Sequence, residues 1–291
     1  MRDLLGEALR QSGAWGSWPE PIVVDAVDST MRTMTTLVHD GAVEGQVVVA
    51  RSQTAGRGRH GRTWVSALDQ GVWLSILMRP TVPATTASTL PLVVGLAVAD
   101  ALGREWGLDV RLKWPNDVVV ATIEGDSANT DWTKLAGVLA ERIDDGGIII
   151  GVGINVSQRR TDLPSGATSL VTYARKFSPA KPVDESPVSL IVQTAAAVLV
   201  EVSSAYRQWV SGAWMIDRYR QQCVTIGRKV QVEHIAMSQV RNERIQSAGT
   251  FTAVDVDAAG HLMVRDDCGA VHAVTAGDVT LTPSCPPGDA R

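Results

Sequence analysis

The sequence predicts an α+β protein: a mixed domain over residues 1–223, a small all-β domain over 224–283, and a disordered tail over 284–291. Three observations carry this. Short apolar, β-branched runs at 22–24, 46–50, 71–79, 110–113, 118–120, 134–141 and 148–156 recur through the first half, and such runs bounded by turn residues read as strands. Two longer stretches, 90–106 and 188–209, carry helix-length apolar patterns. Beyond 223 four short strands follow, at 229–232, 249–254, 261–264 and 271–274, with turns at Gly227-Arg228, Ala259-Gly260, Cys268-Gly269 and Gly277-Asp278.

Taken in order, residues 3–11 form a short amphipathic helix with Leu4, Leu5, Ala8 and Leu9 on one face, broken by Gly13, Gly16, Pro19 and Pro21. The strand at 22–24 leads to Asp28-Ser29-Thr30, where a helix toward His39 begins. Ser29 and Thr30 suit ordinary helix caps, and equally a polar ligand head group. The helix at 90–106, capped by Ser88 or Thr89 and closed by Gly107, is apolar nearly all round and belongs in the core. In Lys113-Trp114-Pro115-Asn116-Asp117, Pro115 imposes an extended or turn conformation and places Asn116 and Asp117 at the end of an element. Asp117 reads as a turn residue or as a Mg²⁺ ligand. Residues 121–133 are polar and turn-rich, an inserted loop, and Lys134 stands at the mouth of the next strand. Gly151 and Gly153 inside a strand mark a close approach by backbone or ligand, and Asn155 in the same run needs a hydrogen-bond partner if buried. Residues 172–187 read as loop, and a helix at 213–223 precedes the β domain.

The bulk properties narrow the function. Of 291 residues, 45% are hydrophobic and 20% charged, as in ordinary globular proteins. A formal net charge of −4 argues against a general nucleic-acid binder. The three cysteines, Cys223, Cys268 and Cys285, form no metal or disulfide pattern, so a reduced, cytoplasmic setting is expected. The five histidines are scattered and read as surface or core filler rather than ligands. The N-terminus lacks the apolar core of a signal peptide. The longest apolar run, 90–99, is shorter than the roughly 20 residues that span a bilayer.

The chemistry concentrates in Gln53-Thr54-Ala55-Gly56-Arg57-Gly58-Arg59-His60-Gly61-Arg62-Thr63-Trp64. Its glycines let the backbone turn and approach a ligand. Its arginines supply planar, permanently charged forks for carboxylate and phosphate oxygens. A solvated basic loop would have the same composition. Gly56, Gly58 and Gly61 also match G-x-G-x-x-G, but the chain continues into a strand rather than the helix a dinucleotide fold requires. The Rossmann reading is rejected.

Five segments, taken together and in order, resemble the motifs of biotin–protein ligases: Asp28-Ser29-Thr30, the loop 56–62, Lys113-Trp114-Pro115-Asn116-Asp117, Lys134-Leu135-Ala136-Gly137, and Gly151-Val152-Gly153-Ile154-Asn155-Val156. The resemblance covers about residues 20–282. It implies a mixed sheet with flanking helices similar to class II synthetases, followed by an SH3-like β-barrel. It implies that biotin is activated by ATP to biotinyl-5′-AMP and then passed to a lysine of a carrier domain. Lys134, Arg57, Arg59 and Asp117 would be the catalytic set. Ser29, Thr30, Met31, Gln53, Arg57, Gly58, Arg59 and Lys134 would line the biotin site. Arg59, Arg62, Trp64, Lys113, Asn116, Asp117 and Asn155 would face ATP, with Mg²⁺ on Asp117 and Trp64 as a stacking surface or lid.

Met31 departs from the family, which commonly has Asn there, so one polar side-chain contact is expected to be missing. The insertion at 121–133 lengthens the connection from Asp117 to Lys134. The implied partners are biotin carboxyl carrier domains of acetyl/acyl-CoA carboxylase or pyruvate carboxylase. Only 28 residues precede Ser29, too few for three helices of average length; no specific DNA binding is expected, nor a membrane, and the chain is expected as a monomer or weak homodimer. A lipoate or octanoate ligase on the same scaffold, and a non-catalytic biotin sensor, are the alternatives.

Overall fold

The computed structural model describes residues 1–13, 15–16, 18–122, 132–177, 186–237 and 249–282. The strands β1 (Ile22–Val27), β2 (Val47–Gln53), β3 (Gly71–Met78), β4 (Arg111–Lys113), β5 (Asp117–Ala121), β6 (Trp132–Arg142) and β7 (Ile148–Asn155) form one sheet in the order β1-β2-β3-β7-β6-β5-β4. Only β1 and β2 run parallel; every other neighbouring pair is antiparallel. The expected mixed sheet is present.

Alternation along the strands sorts side chains onto two faces. Val72, Leu74, Ile76 and Met78 join Val47, Val49, Ile150 and Val152 in the main core. That face is covered by α4 (Leu90–Trp106) and α6 (Pro187–Val210), which pack against each other, and α1 (Arg2–Ser12) lies on α6. Val48, Leu77 and Ile149 point the other way and pack with Met31 and Met34 of α2 (Thr30–His39). This second helix reaches β2, β3 and β7. By length and composition α6 and the stretch Ala84–Trp106, which starts with α3 (Ala84–Ala87), are apolar enough to cross a membrane. They exceed the run read from the sequence, yet most of each is buried inside the fold.

One irregularity decides the character of the open face. β5 pairs Val118 with Ala136 but Val119 with Lys134, so Leu135 is an extra residue in β6. Such a bulge re-aims the side chains on one side of it. Unbroken alternation from Gly137 would have turned Lys134 into the α4 core. With the bulge, Leu135 enters that core fully buried and Lys134 shares the face of Gly137.

Several expectations need correction. Residues 172–177, read as loop, belong to α5 (Leu170–Phe177), with Leu170, Tyr173 and Ala174 buried at helical spacing. β6 begins at Trp132, so Lys134 sits inside the strand rather than at its mouth. The last helix of the domain, α7 (Ile216–Gln222), starts three residues later than expected. Leu4 is exposed, whereas Leu5 and Leu9 are buried. Residues 123–131 of the inserted loop and the tail from 283, with Cys285, lie outside the described residues.

The C-terminal strands β8 (Lys229–Met237), β9 (Gly249–Val256), β10 (Leu262–Arg265) and β11 (Val271–Leu281) close into a barrel in the order β10-β11-β8-β9, all antiparallel. Gly277-Asp278, expected as a turn, lies within β11, beside an irregularity in its pairing with β8. The barrel is fastened to the sheet domain by the buried Trp114 and Thr225 and by more exposed bonds from Ser88 and Arg220. Trp114 donates its indole N–H to the Gly260 carbonyl at 2.9 Å and its backbone N–H to Thr225 Oγ1 at 3.0 Å. Ser88 Oγ donates to the Ala259 carbonyl at 3.1 Å, and Arg220 Nε to the Val256 carbonyl at 2.8 Å.

Gly95 lies buried in the middle of α4, and a Cβ there would meet only Leu112 Cδ2 at 3.7 Å, an ordinary contact. Gly95→Ala should therefore stabilise the chain by about 0.5–1 kcal/mol through helix propensity. An unchanged or lower urea midpoint would show that α4 has no room there.

Candidate active site

A cavity of about 320 Å³ opens on the face of the sheet opposite α4, within the usual size range of ligand pockets. Its floor is Gly137 of β6 with Gly151 and Gly153 of β7. The absent side chains matter, because the roof sits directly on them. A Cβ on Gly153 would lie 2.6–2.9 Å from the Trp64 indole, and one on Gly151 would lie 2.9 Å from Met31 Sδ. The close approach expected at the strand glycines is thus made by side chains of the roof.

The glycine–arginine loop runs strand to strand, from β2 to β3, with one 3-10 turn at Arg59–Gly61. Gly56 has no room for a Cβ, which would fall 2.3 Å from the Trp64 carbonyl. Gly61 has φ +73°, and His60 itself adopts φ +54°. Two backbone bonds close the loop on itself, Gly58 N–H to Arg62 O at 2.7 Å and Trp64 N–H to Gly56 O at 2.9 Å. At its base Gln53 acts as a clamp. Its Oε1 accepts from the N–H and Oγ1 of Thr30 at 2.8 and 3.2 Å, and its Nε2 donates to Ser66 Oγ at 2.8 Å. Ser75 Oγ donates to Thr30 Oγ1 at 2.8 Å. Ser29 occupies the N-cap position of α2 but its hydroxyl does not cap the helix.

The charges meet at the β4–β5–β6 side. Lys134 Nζ lies 2.5 Å from Asp117 Oδ1 and 5.1 Å from the centre of the Trp64 ring. Lys113 Nζ lies 3.8 Å from Asp117 Oδ2. Arg59 Nη1 donates to Asn116 Oδ1 at 3.4 Å and to the Gly277 carbonyl at 3.2 Å. Burial pulls the Arg59 guanidinium below its ordinary value, against the opposing pull of Asp278 and Asp117. A desolvated cation of this kind is stabilised by an arriving anion. Asn116 Nδ2 donates to the Val138 carbonyl at 3.0 Å, which fixes the β4–β5 hairpin over β6.

Every residue singled out in the sequence lines this one cavity: Ser29, Thr30, Met31, Gln53, Arg57, Gly58, Arg59, Arg62, Trp64, Lys113, Asn116, Asp117, Lys134 and Asn155. Some are committed to protein partners. Arg57 is held by Glu141 through two contacts at 2.8 and 3.0 Å. Asn155 is buried, donating to the Thr168 carbonyl at 3.0 Å and accepting from Gln158 Nε2 at 3.2 Å. Among the described residues no group of three or more His, Cys, Asp or Glu side chains forms a metal site. Asp117, ion-paired to two lysines, does not fit a resident metal. A Mg²⁺ ion entering on phosphate oxygens needs only one or two protein carboxylates.

Two parts of the wall were not anticipated. Residues 163–167 line one side, and Glu233, Asp278, Val279 and Thr280 of the barrel line another. Asp278 Oδ2 pairs with Arg62 Nη2 at 2.5 Å, and its Oδ1 lies 3.6 Å from His60 Nε2. A carboxylate between the apolar Ala276 and Val279 was the available signal.

The model of the biotin/lipoate A/B protein ligase family matches residues 23–157. The biotin–[acetyl-CoA-carboxylase] ligase of Mycobacterium tuberculosis is 32% identical over 272 residues, covering 92% of this chain and 91% of that protein. The bifunctional ligase/repressor BirA of Bacillus spizizenii is 34% identical over 161 residues, 54% of this chain, and the match spans less than half of that protein, 46%. Among solved structures, the biotin protein ligase of Aquifex aeolicus in complex with biotin and ATP is similar with a TM-score of 0.69 at 25% identity, covering 91% of this chain and 99% of that one.

Two outcomes follow from the geometry. Gly153→Ala should push the Trp64 indole off the floor, shifting one of the nine indole N–H resonances in an NMR spectrum; nine unmoved resonances would mean the floor tolerates a methyl group. Asp278→Asn should loosen the basic loop and raise its cleavage rate by a limited protease several-fold, with the barrel still folded. Equal cleavage would show that the Arg62 pair holds nothing.

Proposed function

Because this chain belongs to the biotin/lipoate A/B protein ligase family, we propose that it is an ATP-dependent biotin–protein ligase. The observation that carries the reading is the convergence of Lys134, Lys113 and Arg59 on one glycine-floored cavity, with Asp117 between the two lysines. The similarity of 92% of the chain to the Mycobacterium tuberculosis ligase supports it.

In the first step a biotin carboxylate oxygen attacks the α-phosphorus of ATP. The bond to the β-phosphate oxygen breaks and pyrophosphate leaves, giving biotinyl-5′-AMP. An anion approaches a polyanion, so fixed cations must offset the repulsion and the charge developing on the phosphoryl oxygens. Lys134 and Arg59 are the donors to the carboxylate and α-phosphate, and Lys113 and Arg62 face the phosphates. Arg57 joins them once released from Glu141. Mg²⁺ arrives with ATP as part of the substrate, and Asp117 faces it. Ser29, Thr30, Gln53 and the Gly58 backbone surround the biotin head, with Met31 packed beside it. Asn116 and Asn155 edge the nucleotide, and Trp64 roofs the adenylate, excluding water from a labile anhydride. In the second step the amine of a carrier lysine attacks the acyl carbon, loses a proton and expels AMP.

Domains over 1–223 and 224–283, the second an SH3-like barrel, belong to the same reading. So do a cytoplasmic setting, biotin carboxyl carrier domains of acetyl/acyl-CoA carboxylase or pyruvate carboxylase as partners, and a monomer or weak homodimer without specific DNA binding.

Mass spectrometry of the adenylates formed from Mg²⁺-ATP and equal amounts of biotin, lipoate and octanoate tests the reading. Biotinyl-AMP alone is expected. A lipoyl or octanoyl adenylate would assign the sister activity, and bound biotin without adenylate a sensor. Lys134→Met should slow adenylate formation on the order of 10²–10³-fold, the usual cost of removing a donor aimed at developing charge. A near-normal rate would remove Lys134 from the chemistry.

A further inference from the structure

Lys134 stands just beyond the point where β7 leaves β6, while β5 still pairs with it. β7 accompanies β6 from Arg142 only as far as Ala136, which pairs with Ile154, and then turns away, Val156 N–H bonding to the Gln70 carbonyl. The side of Lys134 away from β5 is filled by a segment outside any regular element. Lys134 N–H donates to the Gly166 carbonyl at 2.7 Å, and Thr168 N–H donates to the Lys134 carbonyl at 2.9 Å. The backbone that carries the lysine is thus held by residues 166–168.

That segment is held in turn by buried side chains. Asn155 Nδ2 donates to the Thr168 carbonyl at 3.0 Å, and Gln158 Nε2 donates to Asn155 Oδ1 at 3.2 Å. The Thr168 carbonyl, which can only accept, fixes which way the Asn155 amide faces, and the Gln158 donor then meets the Asn155 oxygen that points back and holds the side chain in place. Ser169 Oγ anchors the Gln158 backbone by donating to its carbonyl at 2.7 Å. Gln158, Thr168 and Ser169 are all more than nine-tenths buried. Gln158 Oε1 and Thr168 Oγ1 have no hydrogen-bond partner among the described residues. Packing alone would be met by apolar side chains without that desolvation cost. A polar chain retained at this depth orders something, and what it ends on is Lys134.

Resting on the ligase reading of Lys134, we propose that Gln158 is a positioning residue for the reaction, acting through the Asn155 amide and Thr168 to hold the Lys134 backbone on its bulge and the amine on Asp117. Gln158 does not line the cavity, so its influence passes through those contacts.

The test is Gln158→Met, which keeps the length and removes the donor. Single-turnover adenylate formation should fall about 10-fold or more, with biotin affinity within a few-fold of the parent. In a Lys134→Met background the same change should cost nothing further, since groups acting as a unit are non-additive. A full rate for Gln158→Met, or an undiminished loss in the Lys134→Met background, would overturn the proposal. If Gln158→Met does not fold, Gln158→Glu, which also lacks the amide donor, is read by the same criteria. A readout independent of turnover separates this inference from the assigned activity. Acetylation of Lys134 by an amine reagent at fixed pH, mapped by mass spectrometry, should run several-fold faster in the variant as the amine leaves Asp117. An unchanged labelling rate would overturn the positioning role even if the chain made no adenylate.

Discussion

The contact between Lys134 and Asp117 depends on one surplus residue. Without Leu135 bulging out of β6, the alternation that buries Ala136 and Val138 would bury the lysine as well. An unpaired ammonium in that core would cost several kcal/mol. The bulge resolves the conflict by giving Leu135 to the core and the amine to the cavity. The remainder of the site is arranged around that result. Asp117 opens β5 opposite Gly137, the β4–β5 hairpin is pinned to β6 through Asn116, and the outer edge of Lys134 is closed by residues 166–168.

The barrel gives the site its other boundary. Its attachment to the sheet domain is asymmetric. On one side Trp114 and Thr225 are buried and the Ala259-Gly260 turn rests on the start of α4. On the other, Gly277 and Asp278 meet the basic loop through polar contacts, and the Arg62 side chain is mostly exposed. Buried apolar contact resists salt and solvent, whereas exposed ion pairs contribute little and are screened. The barrel is therefore a fixed post, and the loop is the part that can part from it.

Much of this was legible in the sequence, and what was legible was local. The long helices announced themselves by helix-length apolar stretches and, for the first, a closing glycine at 107, the strands by β-branched runs, and the cavity by short motifs that all proved to line it. The strand glycines at 151 and 153 could be read as close approaches, though not that Trp64 and Met31 make them. The features that escaped are set by partners far along the chain. The helix at 170–177 was hidden because it spans only eight residues and buries just three of them, Leu170, Tyr173 and Ala174. Asp278 looked like a turn residue because Gly-Asp usually is one, and only the pairing of β11 with β8, which sets it opposite Glu233, keeps it in a strand. No pattern within β6 reveals the bulge, since its register belongs to β5 as much as to β6.

A floor of three glycines has no shape of its own. The contour that a ligand meets is supplied from above, by Trp64 on a loop and Met31 on the first turn of α2, a rigid aromatic and an adaptable thioether. Divergence in what this cavity accepts is thus cheapest in the roof, where a side chain can change without disturbing a hydrogen-bonded strand. Chains of this architecture can keep an identical sheet and still differ in the molecules they admit. Attempts to re-engineer that choice belong at Met31 and Trp64, with the strands beneath left alone.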